Sequence, residues 1–466
     1  MTDFASLLAP DRGQKARPIH LVDKESFADW LKKRSAEDRA LLKAQRFDGR
    51  SAGAFVILPR SGDFEVVAAV KSANSLSPWC LAAPSEKLPE GTYKLAHGEP
   101  GAAALGWLLA QHRFDAYKSK NEEEPERGPR VLVTGEAARI DETVRLAEAT
   151  ALVRDLVNTP AADMGPAELE QAAADLAKRS GGHLRVTSGA DLEAGFPLIA
   201  AVGAAATSER APRLIEVEWG KSDNPRVAII GKGVCFDSGG LDLKTASGMR
   251  IMKKDMGGAA HALALTQLIM HSRLAVRLHL LIPAVENAVS GAAYRPGDIV
   301  KSRKGLFVEI DNTDAEGRLI LADALTKAAE GEPELIVDFA TLTGAARVAL
   351  GPDLPATFVN RDDLAAELET AARMVDDPLW RMPLWDAYDE NLKSDVADLS
   401  NMANNAMAGC IYAALFLRRF IPEQIAWAHL DTFAWRDAAK PGRPKGGEAL
   451  GLRAVFAALE GRYSAA

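Results

Sequence analysis

From about residue 165 to residue 430, short apolar runs alternate with longer stretches whose apolar residues follow a helical period. Alternation of this kind is typical of strand–helix units that pair into a parallel sheet with helices on both faces. The predicted elements are helix 167–179, strands 214–219 and 227–231, helix 258–271, strands 276–283 and 306–310, helix 319–330, strand 335–339, helix 409–420 and strand 424–429. The sequence therefore predicts an α/β domain with a mostly parallel central sheet flanked by helices.

The amino-terminal part of the chain indicates a second, smaller α/β unit. With 466 residues, the chain exceeds the size at which a single core usually stops growing. The predicted elements of this unit are strands 54–58, 66–70 and 131–134 and a helical stretch over 101–117, followed by a helix over 141–157 that Pro160 ends. We expect an N-terminal α/β domain over residues 1–136, a connecting helix and linker over 137–164, and a larger C-terminal domain over 165–466.

Charge and composition exclude several classes of protein. Lys and Arg number 56 against 64 Asp and Glu, and the resulting net charge of −8 opposes binding to nucleic acid. The cysteines, Cys80, Cys235 and Cys410, are too far apart for a thiolate zinc motif, and their scarcity favours a reducing compartment. Residues 1–20 lack the apolar stretch of a secretory signal and no run approaches about 20 apolar residues, so we expect neither export nor membrane insertion. We therefore expect a cytoplasmic protein with no membrane or nucleic-acid partner.

Polar side chains follow the predicted strands at the positions where parallel sheets bind ligands. They form four groups: Lys232, Asp237 and Lys244; Asp255 at the start of a helix; Asp314, Glu316 and Arg318; and the run 341–344. Because the carboxyl ends of parallel strands share one edge of the sheet, we expect these groups to converge.

The converging set is rich in oxygen ligands and contains no histidine. Its four carboxylates would repel one another in a low dielectric unless cations offset them. A pair of divalent ions bridged by carboxylates suits hydrolysis of an amide. Taken alone, a run such as Asp314-Ala315-Glu316 is more often a helix cap with a surface ion pair. The glycines around Lys232 match neither the Walker spacing nor the dinucleotide-binding pattern.

Three segments together resemble the cytosolic leucine aminopeptidase family in order and spacing. They are Gly-Lys-Gly-Val-Cys-Phe-Asp-Ser-Gly-Gly at 231–240 with Lys244, Met-Lys-Lys-Asp-Met-Gly-Gly-Ala-Ala at 252–260, and Asn-Thr-Asp-Ala-Glu-Gly-Arg-Leu at 312–319. The last octapeptide is highly specific, and weaker similarity extends the resemblance over residues 150–455. The resemblance implies that 165–466 is a catalytic metallopeptidase domain.

The resemblance also implies two metal sites that share ligands. The tighter site would be made by Lys232, Asp237, Asp255 and Glu316, and a more exchangeable site by Asp237, Asp314 and Glu316. An ammonium has no free lone pair, so Lys232 would have to bind a metal in its neutral form; the alternative is a structural ion pair with a neighbouring carboxylate. The ions would be Zn or Mn, with Mg possible, because oxygen ligation alone does not select Zn.

Further roles follow from the same resemblance. Lys244 would stabilise the developing oxyanion, and Arg318 would hold a bicarbonate ion placed as general base. Met252, Thr341 and Gly344 would line the pocket for the first side chain of the peptide, favouring leucine-like residues. Family members are commonly homo-hexamers.

The expected function is that of a metal-dependent aminopeptidase that releases leucine-like or more varied first residues from peptides. Two alternatives remain at this stage: a dipeptidase or cysteinylglycinase of the same chemistry, and a catalytically silent regulatory assembly. The chain departs from the family at Thr432-Phe433-Ala434-Trp435, where small residues are usual, so we expect Phe433 and Trp435 to reshape the substrate pocket.

Overall fold

The structure is a computed structural model and describes residues 2–119 and 128–464. The chain divides into two compact units, Met1–Ala151 with Asp437–Lys445 and Leu152–Arg436 with Gly446–Ala466. The division falls within the segment 137–164, and our assignment of that segment as a connector stays a prediction. Within the described ranges, we find no helix with both the length and the apolar character needed to cross a bilayer.

The first unit contains a six-stranded sheet. Its elements are β1 Leu8–Pro10, β2 Arg17–Val22, α1 Phe27–Lys32, α2 Ala36–Ala44, β3 Phe55–Arg60, β4 Asp63–Ala69, α3 Ala82–Lys87, β5 Gly91–Leu95, α4 Ala103–Leu109, β6 Arg130–Thr134 and the start of α5 Ile140–Asn158. The strand order is β1-β6-β5-β2-β4-β3, with only β3 and β4 antiparallel. This is the small α/β unit that the sequence predicts.

The predicted helical stretch 101–117 is helical only over α4. Beyond Leu109 the chain turns away, and the side chain of Gln111 pairs with the backbone of Arg130 at the start of β6 (2.9 and 3.0 Å). These side-chain hydrogen bonds replace those that a longer helix would make.

The second unit contains a nine-stranded sheet. Its elements are the end of α5, α6 Pro166–Ser180, β7 His183–Ser188, α7 Gly189–Gly195, α8 Pro197–Gly203, β8 Arg213–Trp219, β9 Arg226–Gly231, β10 Gly233–Asp237, α9 Ala246–Met249, α10 Gly257–His271, β11 Arg277–Asn287, β12 Ile299–Lys301, β13 Phe307–Glu309, α11 Glu316–Ala329, β14 Leu335–Ala340, α12 Gly344–Leu350, β15 Ala356–Val359, α13 Asp362–Met374, β16 Trp380–Arg381, β17 Leu399–Ser400, α14 Gly409–Arg418, β18 Ala426–Asp431, β19 Trp435–Arg436, β20 Gly446–Gly447 and α15 Leu452–Tyr463.

The central strands of this sheet are parallel, as predicted. The order is β16-β15-β18-β14-β9-β11-β8-β7, with β10 also paired to β11, and the antiparallel pairs lie toward the edges. Along β9, Ala228 and Ile230 pack in the same apolar cluster as α11, so Val227 and Ile229 face the opposite side, where α10 lies against the strand. Helices therefore cover both faces of the sheet.

One predicted strand is not part of the central sheet. Strand β13 pairs with β12 and β17 in a separate three-stranded sheet. It is three residues long, and Phe307 at its start is exposed, so it lacks the continuous apolar run that a strand buried on both faces requires. Directly after β13, the chain nevertheless returns to the side of the main sheet that is formed by the carboxyl ends of its parallel strands.

Candidate metal centre

Lys232 lies directly beyond the carboxyl end of β9 and is fixed there from two sides. Its amide donates to the carbonyl oxygen of Phe339 on β14 (2.9 Å), and its own carbonyl oxygen accepts from the amide of Ala259 in α10 (2.8 Å). Helix α10 approaches this junction closely because Gly258 has no side chain; a Cβ there would lie 2.2 Å from the carbonyl oxygen of Phe339. The Lys232 side chain, only 3% exposed, is therefore held inside the protein.

Asp237 is the last residue of β10, and a glycine turn follows it. Gly239 and Gly240 have φ angles of 89° and 66°, in the left-handed region that favours glycine. The turn reverses the chain so that the amide of Lys244 donates to the carbonyl oxygen of Ser238 (2.9 Å). The Lys244 side chain then reaches back, with its Nζ 2.8 Å from Oδ2 of Asp237.

Asn287, the last residue of β11, joins two loops of the site. Its Nδ2 donates to Oδ1 of Asp237 (2.8 Å) and to the carbonyl oxygen of Thr313 (3.1 Å). The sequence analysis did not predict this residue, because a single asparagine at the end of an apolar strand carries no local signal.

The specific octapeptide forms the start of α11. Asn312 accepts a hydrogen bond from the amide of Asp314 through its Oδ1 (2.7 Å), which fixes the short 3₁₀ turn Thr313–Ala315. Helix α11 then begins at Glu316, so Asp314 and Glu316 lie on successive turns of one continuous segment. Glu316 is 1% exposed.

Asp255 lies in the 3₁₀ turn Met252–Met256, immediately before α10. The hydroxyl of Thr341 donates to its Oδ1 (2.8 Å), which ties this turn to the loop that follows β14. Asp255 is 2% exposed.

The structure brings the predicted metal-binding side chains together. Nζ of Lys232 lies 2.7 Å from Oδ2 of Asp255 and 2.8 Å from Oε1 of Glu316. Carboxylate oxygens of Asp237, Asp255 and Glu316 all lie within 4.8 Å of one another. Asp314 contacts the same cluster through Lys244, to whose ammonium both it and Asp237 are paired.

Burial and mutual repulsion raise the pKa of several of these carboxyl groups. Burial, with the adjacent charge of Asp255, raises the pKa of Asp237 to about 6, and burial with the charge of Asp237 raises that of Glu316 to about 7. The pKa of Asp314 is raised by burial despite its hydrogen bond from Lys244. Burial acts likewise on Asp255, but the charges of Lys232 and Lys254 outweigh it and lower its pKa.

The pKa values of the two lysines are also raised, but here burial opposes the shift and the neighbouring charges are its cause. Burial acts to lower the pKa of Lys232 and of Lys244, but the surrounding carboxylates outweigh it and raise both. The geometry of Lys232 in this structure is therefore that of an ion pair with Asp255 and Glu316. The three ammonium groups of Lys232, Lys244 and Lys254 still leave the four carboxylates with an excess of negative charge, which is a donor set that fits divalent cations.

The cluster forms part of the wall of a cavity of about 390 Å³. Met252, Thr341 and Gly344, the residues predicted to contact the first side chain of the substrate, also line it. Phe433 lines the same cavity, as its position after Asp431 led us to expect. Trp435 is not among the lining residues described.

Arg318 lies two residues after Glu316 on α11 and is not among the residues lining this cavity. Its Nη1 donates to the carbonyl oxygen of Asn401 (2.7 Å), whereas its Nε has no hydrogen-bond partner among the residues described. Burial lowers the pKa of its guanidinium to about 10.

Comparison with known proteins places this arrangement in a family. Residues 151–456 match the cytosol aminopeptidase family, catalytic domain, and residues 17–126 match the M17 aminopeptidase, N-terminal domain. A probable cytosol aminopeptidase of Syntrophotalea carbinolica is 42% identical over 372 residues, which cover 76% of this chain and 73% of that protein.

Solved structures agree with this assignment. The crystal structure of a cytosol aminopeptidase from Coxiella burnetii is 46% identical, with a TM-score of 0.92 over 98% of this chain and 99% of that one. The bottromycin maturation enzyme BotP in complex with Mn is 32% identical, with a TM-score of 0.85 over 96% of this chain and 100% of that one. The resemblance found in the sequence is therefore confirmed: the chain belongs to the cytosol aminopeptidase family of metal-dependent exopeptidases.

Proposed function

We propose that this chain removes the first residue of peptides with a pair of divalent metal ions held by the buried carboxylate cluster. The observation that carries the proposal is the approach of Asp237, Asp255 and Glu316 to within 4.8 Å in the wall of a cavity. Such crowding of buried acids is unfavourable unless cations compensate it. A pair of bound divalent ions supplies an activated water and polarisation of the scissile carbonyl.

The ligands divide between two sites in this proposal. Lys232, in the neutral form that a ligand requires, would hold the tighter ion with Asp237, Asp255 and Glu316, and Asp237, Asp314 and Glu316 would hold the more exchangeable one. Asp237 and Glu316 would be shared between the two sites. Thr341 and Asn287 orient Asp255 and Asp237 by hydrogen bonding.

Lys244 is the chain's own cation at the reacting carbonyl. It lies in the cavity wall, 2.8 Å from Oδ2 of Asp237, and the surrounding carboxylates raise its pKa and keep it protonated. An ammonium held in this way can donate a hydrogen bond to the oxyanion that forms when the carbonyl is attacked. Its effect is therefore on the transition state more than on substrate binding.

Arg318 is proposed to hold a bicarbonate ion that accepts a proton from the attacking water. Its buried, partly unpartnered guanidinium supports the binding of an anion. Arg318→Lys tests this role: activity that bicarbonate stimulates in the parent chain should no longer respond to bicarbonate in the variant.

Several further properties extend from the relatives to this chain as proposals. Zn and Mn are the ions proposed, with Mg as a further candidate, and Mn is favoured for the first trial because BotP was solved with it. We also propose a homo-hexamer, a cytoplasmic location in line with the relatives' name, and a catalytic domain over 165–466 with a connector over 137–164 and an N-terminal domain over 1–136. The first side chain is proposed to lie against Met252, Thr341 and Gly344.

Metal analysis and turnover by matched variants test the proposal. The purified chain should bind about two divalent ions, and chelation should abolish hydrolysis of leucine, methionine and alanine anilides until metal is restored. Asp314→Ala and Glu316→Ala should each lower kcat by at least about a thousandfold with the fold retained. Asp363→Asn, which removes an exposed carboxylate from α13, is the matched control and should change nothing. Near-normal turnover in either active-site variant would contradict the metal assignment.

The same assay separates the alternative activities. A dipeptidase or cysteinylglycinase would cleave Cys-Gly and reject the anilides, whereas a silent assembly would cleave neither.

A further inference from the structure

Lys254 is a buried cation in the cavity wall that the proposed reaction does not use. Its side chain is 7% exposed, and its Nζ lies 3.8 Å from Oδ1 of Asp255. This Nζ makes no hydrogen bond within the described ranges, and the residue lines the cavity. A buried ammonium without a hydrogen-bond acceptor is costly, so it is expected to have a partner that enters the cavity.

A second cation faces the same part of the cavity. The guanidinium of Arg347, on α12, lies 4.9 Å from the centre of the Phe433 ring, and Nζ of Lys254 lies 5.2 Å from it. Both side chains line the cavity, and Arg347 has no ion pair with a carboxylate among the residues described. One aromatic ring therefore contacts two cations that line the cavity.

The nearby acids are already engaged. Asp431 accepts hydrogen bonds from the amides of Leu342 and Thr343 (2.9 and 3.2 Å) and from the hydroxyl of Thr343 (2.6 Å). Asp255 receives the Thr341 hydroxyl and, in the proposed function, binds a metal ion. Neither Lys254 nor Arg347 therefore has a hydrogen-bonded carboxylate partner among the residues described, and both cations line the space that an entering anion would occupy.

We propose that this cavity selects peptides whose first residue has an acidic side chain, and that Lys254 and Arg347, positioned by Phe433, recognise its carboxylate. The inference rests on the proposed function, because it takes the first side chain to lie in this cavity. A leucine side chain would cover Lys254 and leave it unpaired, whereas a glutamate or aspartate carboxylate accepts hydrogen bonds from it. The phenyl ring of Phe433 also reduces the apolar space that a large aliphatic side chain would need.

The C-terminal carboxylate of a dipeptide offers the same chemistry, and the choice of substrates distinguishes the two sources. Glutamyl and aspartyl anilides carry only the side-chain carboxylate, whereas Leu-Gly carries only the terminal one and Leu-Gly amide carries neither. We expect kcat/KM for the glutamyl or the aspartyl anilide to exceed that for the leucyl anilide by at least about tenfold, or about 1.4 kcal/mol. A preference for Leu-Gly over its amide that Lys254→Met removes would overturn the proposal in favour of a C-terminal site.

Three variants test which side chains cause the preference for an acidic first residue. Lys254→Met keeps an unbranched side chain only one atom shorter and removes its charge, and it should reduce the acidic-to-leucyl ratio of kcat/KM by at least about tenfold. Arg347→Met, at an exposed position where folding is not at risk, should reduce the ratio by at least about threefold. Lys221→Met removes the same charge from an exposed loop outside the cavity and should leave the ratio unchanged.

Inhibition by free amino acids gives a second measurement that does not depend on the rate of hydrolysis of the acidic substrate. Glutamate or aspartate should inhibit leucyl anilide hydrolysis more strongly than leucine does, and Lys254→Met should reverse the order. An unchanged ratio and unchanged inhibition in both cavity variants would refute the selectivity alone. Absence of turnover on every substrate would instead refute the proposed function.

Discussion

A buried triad of charges in the second unit yields the most quantitative prediction for stability. The carboxylate of Glu448 accepts from Nε and Nη2 of Arg154 through Oε1 (3.1 and 2.9 Å) and from Nε of Arg436 through Oε2 (3.3 Å). Arg154 is 1% exposed, Glu448 2% and Arg436 5%. Asp353, 43% exposed, also pairs with Arg436 (2.9 Å).

Glu448→Gln keeps the shape of the side chain and removes the charge that both guanidinium groups require. Breaking a buried ion pair on one side costs about 3 to 5 kcal/mol, because a buried charge is left uncompensated. With a urea slope of about 3 kcal/mol per molar, the midpoint of unfolding should fall by about 1 to 1.7 M. Far-UV circular dichroism at matched protein concentration measures the shift.

The matched control is Glu330→Gln. Glu330 makes an equally regular pair with Arg303 (2.7 and 2.8 Å), but it is 44% exposed, so its loss should cost less than about 1 kcal/mol. The double variant Arg154→Met, Glu448→Met removes both charges and should be more stable than Glu448→Gln. Equal destabilisation by Glu448→Gln and Glu330→Gln would refute the reasoning.

Two further outcomes follow from the geometry. A Cβ at residue 317 would lie 2.6 Å from Cε of Lys232, so Gly317→Ala should weaken metal binding at least about tenfold in an equilibrium titration. The control Gly291→Ala, whose Cβ would meet nothing within 4 Å, should not weaken it. Equal metal affinities in the two variants would contradict this prediction. Burial acts to lower the pKa of His429, but the charge of Asp338 and the hydrogen bond to it raise the pKa above 6.5. The His429–Asp338 pair therefore stabilises the fold fully below pH 6.5 and less as the pH rises through the raised pKa. The difference in urea midpoint between the parent chain and His429→Gln should accordingly shrink between about pH 6 and about pH 9. A difference that stays constant with pH would argue against an ion pair between His429 and Asp338.

The sequence predicted those features that short stretches of chain determine. Helix α10 was expected over 258–271 and spans Gly257–His271, and strand β14 was expected over 335–339 and spans Leu335–Ala340. Both are long, nearly continuous apolar segments whose burial on all sides leaves little choice of structure. Strand β10, by contrast, was not predicted, because its five residues lie between glycines and its pairing with β11 is decided by the sheet.

The residues of the candidate site likewise divide into those that local sequence determines and those that only the fold brings together. Asp314 and Glu316 were predicted from the octapeptide that contains them, since turn, cap and helix start are all local. Asn287 was not, because its contact with Asp237 joins residues 50 positions apart along the chain. Lys254 lies within the segment 252–260 that carries part of the family resemblance, but only the fold brings Phe433 and Arg347 to it.

The position of Asn287 has a consequence for how the cluster meets its ions. A single amide anchored on the central sheet connects the loop after β10 with the turn before α11, so the separation of Asp237 from the Asp314–Glu316 segment is set by backbone and amide contacts. The repulsion among the acids is thus imposed when the domain folds, and a divalent ion held by Asp237, Asp314 and Glu316 would offset it. Binding of such an ion would therefore also stabilise the folded domain against unfolding.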